Sequence, residues 1–317
     1  MPVPRRRTRA SAFARFAWAC CVYLVGVILF GAWVRITHSG AGCGRHWPTC
    51  NGQVVPLAPS TETLIEYSHR ATSGLLGLLV VGLVVWAARR FGPRHRVFTA
   101  SLVTLLFVIV EALVGAGLVL RELVADDASS ARAVVIALHL ANTLMLTAAC
   151  TLAAFWSTTA ARPAGRPPAP LPPLVVVAFA AVVVTAMTGA VTALGDTLFP
   201  VSPTEGGGLL GRLRDGLDPA THVLVRLRIV HPIVAVLTAG LLYAVPEVVE
   251  DATTDDLART LGRAVRHAAL LEAGLGLANV LLAAPGWLQI VHLLFAQVLW
   301  IVLVCAGARL RDVAAAA

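Results

Sequence analysis

Four histidines lie within long apolar stretches of this chain, where charged and polar side chains are scarce: His69, His139, His231 and His292. Glu66 precedes His69 by three residues, so the two side chains share one helix face a turn apart. Imidazole is a common metal ligand, and ionisable groups among apolar residues are costly unless they have a function. These five residues are therefore the first candidates for chemistry.

The elements that carry these residues are predicted to be membrane helices. The chain is 58% hydrophobic and 13% charged, whereas a soluble domain carries about 25% charged residues. A bilayer crossing needs about 20 apolar residues, and continuous runs without alternating polarity exclude a β-barrel. The sequence predicts an all-α polytopic membrane protein with eight transmembrane helices, near 13–36, 64–88, 97–120, 132–157, 172–195, 222–246, 262–283 and 286–308.

The net charge of +8 follows the ends of these runs, which favours a topological origin over nucleic-acid binding. Loops 37–63, 121–131, 196–221 and 284–285 are predicted to face outward. The opposite side is predicted to be cytoplasmic, with both chain termini on it, in the cell membrane. The arginines that mark this side are Arg5, Arg6, Arg7, Arg9, Arg89, Arg90, Arg94, Arg96, Arg162, Arg166, Arg263, Arg266, Arg309 and Arg311.

The chain divides into two similar halves, 1–161 and 174–317, joined by a Pro- and Ala-rich cytoplasmic linker at 162–173. The second and fourth run of each half carry a histidine. The halves share two weaker similarities: Gly31-Ala32 corresponds to Gly189-Ala190, and Glu111-Ala112 corresponds to Glu272-Ala273. We therefore predict two four-helix bundles related by a pseudo-twofold axis along the membrane normal.

All four histidines are predicted to lie about 8–15 Å below the outer surface, at 1.5 Å per residue. Each bundle then presents two imidazoles at one level, as axial ligands on either face of a haem require. A lone membrane histidine is often a packing residue, but four matched positions favour two haem sites. Another kind of metal centre is disfavoured, because no carboxylate or thiol except Glu66 stands beside these histidines.

Charged neighbours distinguish the two predicted sites. Glu66 offers acid/base or cation-stabilising capacity beside the first haem, unless it serves as an ion-pair partner of Arg70 or Arg35. Arg228 takes the equivalent place before His231, and arginine is a natural partner of carboxylates such as haem propionates. The second site is thus predicted to hold its haem and pass electrons. The propionate candidates are Arg35, Arg70, Arg226 and Arg228.

Cys43 and Cys50 lie in the first outer loop, where an oxidising environment favours a disulfide. The pair is either a staple for the loop or a redox couple, and both alternatives stay open. A zinc site is disfavoured because a second ligand pair at suitable spacing is missing. The remaining cysteines lie inside apolar runs: Cys20, Cys21, Cys150 and Cys305.

A family resemblance rests on several motifs of this chain. They are Ser39-Gly40-x-Gly42-Cys43-Gly44-Arg45-x-Trp47-Pro48-x-Cys50-x-Gly52-x-x-x-Pro56, Glu66-Tyr67-x-His69-Arg70, Leu138-His139-Leu140-Ala141-Asn142, His231-Pro232 and Val291-His292-Leu293. Together they resemble bacterial haem A synthases with a cysteine pair in the first outer loop. Members of this kind often carry a second pair in the other half, which 196–221 lacks, and this slightly favours a structural role for Cys43 and Cys50.

The resemblance implies an eight-helix enzyme that oxidises a methyl group of haem O to the formyl group of haem A by successive hydroxylations, for assembly of terminal oxidases. It implies that His69 and His139 hold substrate haem O, that His231 and His292 ligate a permanent haem b, and that Glu66 is catalytic. The synthase that supplies haem O and the lipid bilayer are the implied partners. The electron donor or acceptor and a homo-oligomeric state stay open.

Two other functions compete with this interpretation. A di-haem b-type carrier that exchanges electrons with quinol would need only the four histidines. A transporter or assembly factor would use the duplicated bundle as a path and bind no haem.

Overall fold

The structure is a computed structural model that describes residues 11–159, 168–201 and 208–314. The helices of these residues are α1 (Ala12–Ile36), α2 (Thr61–Phe91), α3 (Arg96–Leu120), α4 (Ser130–Thr158), α5 (Pro173–Leu198), α6 (Gly208–Leu217), α7 (Val223–Leu227), α8 (Val230–Tyr243), α9 (Val245–Ala252), α10 (Asp256–Leu281) and α11 (Gly286–Val313). The described part contains no β-strand. Most of the predicted linker, with Arg162 and Arg166, and the predicted N-terminal arginines Arg5 to Arg9 lie outside the described residues.

Seven stretches of the described chain are long and apolar enough to cross a membrane, which confirms the prediction of an all-helical, multi-pass membrane protein. Six of them are single helices. The seventh, Val223–Ala252, comprises α7, α8 and α9. Helix α10 has 26 residues but is more polar than the others, because its first half carries Asp256, Arg259 and Arg263.

The sixth apolar run, predicted as one helix over 222–246, is interrupted twice. Proline causes both interruptions, because it lacks an N–H and clashes with the preceding turn. Pro232 lies in the first turn of α8, just after the break at Arg228 and Ile229. Pro246 opens α9 after Ala244. The predicted loop 196–221 also differs from the structure, since it contains α6.

Serine and aspartate side chains begin several of these helices. The hydroxyl of Ser60 accepts a hydrogen bond from Thr63 N at 3.2 Å at the start of α2, and Ser129 does the same for Arg132 N at 3.2 Å at the start of α4. Such N-caps satisfy backbone donors that a helix leaves unpaired. They fix where α2 and α4 begin, and therefore the depth of the histidine that each helix carries.

Helices α1 to α4 pack in a closed ring, each against the next and α4 against α1. Helices α5, α8, α10 and α11 make the same pattern of neighbours, and α4 packs against both α5 and α11. Each ring has its own apolar core, around Leu83 in the first and Trp300 in the second. Large apolar side chains such as Leu78 and Val236 are exposed on the outer faces, as lipid contact requires.

Ion pairs connect helices at the arginine-rich end, and the pair between Arg96 and Asp312 joins the two halves. Both carboxylate oxygens of Asp312 on α11 lie 2.8 Å from Arg96 Nη1 on α3. Asp255, which caps α10, accepts two hydrogen bonds from Arg309. The Arg309 guanidinium lowers the pKa of the Asp255 carboxyl from its usual value. This end of the molecule is opposite the one that holds the four histidines.

Candidate functional site

The imidazoles of His231 on α8 and His292 on α11 lie close together in an edge-to-face orientation, with ring centroids 6.4 Å apart and planes at 70°. Metal–imidazole nitrogen bonds are about 2 Å long, so two imidazoles on opposite sides of one iron have centroids about 6 Å apart. The predicted second pair is thus close enough to bind one iron between its rings.

Each of these rings has a neighbour that can orient it. His231 Nδ1 lies 3.1 Å from the carbonyl oxygen of Thr185 and 3.2 Å from the hydroxyl of Thr188. A carbonyl oxygen only accepts, so Nδ1 carries the proton and Nε2 keeps its lone pair. His292 Nδ1 lies 3.0 Å from Glu272 Oε1. Metal-ligating histidines hold Nδ1–H against such a neighbour and bind the metal through Nε2, so His231 fits an iron ligand, and His292 has a carboxylate within reach of its Nδ1.

The first pair is His69 on α2 and His139 on α4, two helices that both pack against α1 and α3 in the first ring. The ring of His69 packs edge-on against Phe30, with centroids 5.5 Å apart. Its Nδ1 is buried and has no hydrogen-bond partner among the residues that the structure describes. His139 Nδ1 lies 3.5 Å from Glu111 Oε1. The buried Nδ1 of His69, unpartnered in the described chain, marks this ring as a candidate ligand-binding group in the first half.

Glycines contact three of the four rings. A Cβ on Gly31 would lie 3.2 Å from His69 Cε1, one on Gly189 would lie 2.9 Å from His231 Cε1, and one on Gly276 would lie 3.3 Å from His292 Cε1. Side chains at these positions would displace the imidazoles. Gly31 and Gly189 belong to the Gly-Ala pair that is repeated in the two halves, but the repeat alone does not reveal these contacts with the rings.

Glu66 is held from two sides. Its side chain is buried, and Oε2 accepts a hydrogen bond from Cys43 N at 2.8 Å. Oε1 pairs with Arg70, whose other terminal nitrogen donates to the carbonyl oxygens of His46 at 2.6 Å and Thr49 at 2.8 Å. Of the two ion-pair partners considered for Glu66, the structure selects Arg70.

The loop that contacts Glu66 is closed by a disulfide between Cys43 and Cys50. Its backbone docks on the start of α2, where Thr63 Oγ1 donates to Gly42 O at 2.6 Å. Gly42 is required there, because a Cβ would lie 2.5 Å from the Glu62 carbonyl group. The disulfide therefore lies in the loop that covers Glu66.

The four propionate candidates differ in their surroundings. Arg70 is engaged as described above. Arg35 donates to Ala193 O at 2.6 Å and to Gln289 Oε1 at 2.9 Å, so it connects α1 with the second half. Arg228 pairs with Asp196 at 2.9 Å and donates to two carbonyl oxygens. Arg226 is exposed.

One inference from sequence was wrong. Glu66 is not the only carboxylate beside the histidines, since Glu111 on α3 approaches His139 and Glu272 on α10 approaches His292. Both come from a different helix than their histidine, so spacing along the chain does not reveal them. The sequence contains one indication of these two carboxylates, the Glu-Ala pair that is repeated in the two halves at 111–112 and 272–273.

Known proteins and one protein family have sequences similar to this chain. A model of the cytochrome oxidase assembly protein family matches residues 14–304. A protohaem IX farnesyltransferase of Thermus thermophilus is 44% identical over 294 residues, which are 93% of this chain and 48% of the relative. The chain thus spans about half the length of this relative.

Two shorter matches are heme A synthases. That of Exiguobacterium sibiricum is 38% identical over 118 residues, 37% of this chain and 38% of the relative. That of Halalkalibacterium halodurans is 43% identical over 104 residues, 33% of this chain and 35% of the relative. They confirm the resemblance predicted from the motifs. With the family model matched from the first helix into the last, the chain belongs to the cytochrome oxidase assembly protein family.

Proposed function

We propose that the chain is a haem A synthase, which oxidises one methyl group of haem O to the formyl group of haem A. The observation that carries this proposal is the pair His231 and His292, whose ring centroids are 6.4 Å apart, with the Thr185 carbonyl oxygen at His231 Nδ1 and the Glu272 carboxylate 3.0 Å from His292 Nδ1. The first pair, His69 and His139, and the buried Glu66 support it. So does the similarity to heme A synthases.

In this proposal each half has one task. His69 and His139 bind the iron of substrate haem O, while His231 and His292 bind a permanent haem b. Bound haem iron supplies the oxidising chemistry. Two successive hydroxylations of the methyl carbon, each a two-electron oxidation that draws its oxygen atom and its oxidant from outside the chain, would give a geminal diol, which loses water to leave the formyl group. Glu66, held by Arg70 and Cys43 N, stabilises the electron-poor carbon or takes up its proton.

The proposed architecture is eight transmembrane helices in two pseudo-twofold-related bundles, 1–161 and 174–317, with 162–173 as linker. The repeated ring of helix neighbours supports it. Helix α10, with 26 residues, is about 39 Å long at 1.5 Å per residue. That length exceeds the hydrocarbon core of about 30 Å, and its arginines lie toward the end that carries Arg89 and Arg90.

We further propose that this arginine-rich end is cytoplasmic, with both termini on that side of the cell membrane. The membrane enzyme that makes haem O is the proposed supplying partner. The Thermus thermophilus relative supports this, because a protein named a protohaem IX farnesyltransferase contains a region 44% identical to nearly all of this chain. The proposal also includes assembly of the protein into a homo-oligomer and a separate partner that donates or accepts electrons.

The function can be tested by expressing the chain in cells that make haem O and separating the extracted haems by chromatography. We expect a new formyl haem that is absent from cells without the chain. Unchanged haem O together with bound haem would instead indicate an electron carrier. A purified protein without a Soret absorption band would exclude a haem enzyme and favour a transporter.

A substitution at Gly189 tests the second site. Gly189→Ala would place a Cβ 2.9 Å from His231 Cε1, so the ring must shift from its ligating position. We expect haem binding in the second half to weaken by about tenfold, as for other changes next to a metal ligand. The measurement is a haem titration of the purified variant. Gly240→Ala on α8 is the control, because its Cβ meets nothing within 4 Å, and equal losses in both variants would contradict the assignment.

A further inference from the structure

Two membrane carboxylates that the proposed mechanism does not use approach corresponding histidines in the two halves. Glu111 Oε1 on α3 lies 3.5 Å from His139 Nδ1, and Glu272 Oε1 on α10 lies 3.0 Å from His292 Nδ1. Each glutamate is on the helix that packs against its histidine's helix. The arrangement is therefore repeated, although the sequence suggested no such role.

The two carboxylates differ in what else they bind. Glu111 accepts hydrogen bonds from Asn142 Nδ2 and Thr143 Oγ1, both at 2.5 Å, and these donors compete with His139. Glu272 faces His292 alone, and its Oε2 has no hydrogen-bond partner in the described part of the chain. Its side chain is 14% exposed, against 24% for Glu111. Glu272 therefore has fewer competing hydrogen-bond donors than Glu111, and its side chain is less exposed.

The interaction of Glu272 with His292 is within hydrogen-bonding distance, although the ring N–H is not aligned with the oxygen in this rotamer. At 3.0 Å the attraction between an ionised carboxylate and the ring N–H acts even without an aligned hydrogen bond. A carboxylate that accepts the Nδ1–H bond makes the opposite nitrogen a more basic ligand. A more basic axial ligand favours the oxidised form of a bound iron.

We propose that Glu272 is a positioning residue that acts through His292 to lower the reduction potential of the haem in the second half. This inference rests on the proposed function, since it needs a haem between His231 and His292. In the first half Glu111 accepts hydrogen bonds from Asn142 and Thr143 and lies farther from His139, so it exerts a weaker effect on that ring. The two halves would then hold their haems at different potentials although both use paired imidazoles.

The test is a potentiometric titration of the resident haem b in full-length protein purified from cells that lack haem O, followed by absorption. Glu272→Gln keeps the size of the side chain and removes its charge. We expect the reduction potential of the haem to rise by at least about 59 mV, which for a one-electron couple is a tenfold change in the equilibrium constant toward the reduced haem. Glu111→Gln, the equivalent change in the other half, is the matched control and should leave this potential unchanged.

Glu272→Asp retains the charge at a greater distance and should give a potential between those of the wild type and Glu272→Gln. If Glu272→Gln loses its haem, the comparison of wild type with Glu272→Asp decides the matter. A potential that is the same in all haem-containing variants would overturn the role of Glu272 while leaving the proposed function intact. Wild-type protein without a Soret band would overturn both.

Discussion

Glu66→Gln is expected to lower the conversion of haem O to haem A by at least about a hundredfold, the range that acid/base groups contribute, while haem remains bound. Glutamine has the same size and can still accept the hydrogen bond from Cys43 N. It cannot carry the charge that would stabilise an electron-poor carbon. The measurement is the rate of formyl haem formation by chromatography, with haem content measured on the same sample.

Glu62→Gln is the matched control for this experiment. Glu62 lies one turn earlier on α2 and its side chain is exposed, so the same chemical change there should leave the rate near that of the wild type. Arg70 keeps its bonds to the His46 and Thr49 carbonyl oxygens in both variants. Full activity of Glu66→Gln would remove Glu66 from the proposed mechanism.

His292→Ala is expected to remove haem from the second half, because one of the two proposed axial ligands is lost. Changes in the hydrogen-bonded neighbours of a metal ligand weaken binding by about 10- to 100-fold. Loss of the ligand itself should weaken haem binding in the second half by more than that. The corresponding change His139→Ala should instead lower binding of haem O in the first half. Quantifying haem b and haem O in each purified variant distinguishes the two outcomes.

His267→Ala serves as the control for these variants. His267 lies on α10 and is exposed, so its loss should leave both haems in place. Retention of haem b by both His292→Ala and His231→Ala would show that these two imidazoles are not its ligands, and the assignment of the second site would then be wrong.

The apolar runs predicted most of the helices, because about 20 apolar residues in sequence have few alternatives to a membrane helix. Helix α10 was less clear, since its charges lower its hydropathy while its length is still sufficient to cross a bilayer. The interruption around Arg228 was not predicted, although Pro232 was visible in the sequence. A proline in a membrane helix can be accommodated by neighbouring helices, so the residue alone does not decide between a kink and a break.

The candidate site was predicted in part. The four histidines and Glu66 were found because their polarity contrasts with their apolar surroundings. Gly189 and Glu272 were not assigned to the site, because their contacts with His231 and His292 come from neighbouring helices. Position along one helix predicts which residues share a face. It does not predict which residue of another helix will lie opposite.

The hydrogen bond from Cys43 N to the Glu66 carboxylate connects the disulfide-closed loop with a membrane helix. The donor is a backbone amide within the ring that the disulfide closes, and the acceptor lies on a membrane helix. The shape of an extramembrane segment therefore determines part of the solvation of a carboxylate inside the bilayer region. Substitutions of residues between Cys43 and Cys50 are therefore expected to alter the surroundings of the Glu66 carboxylate, even where the substituted side chain points into water.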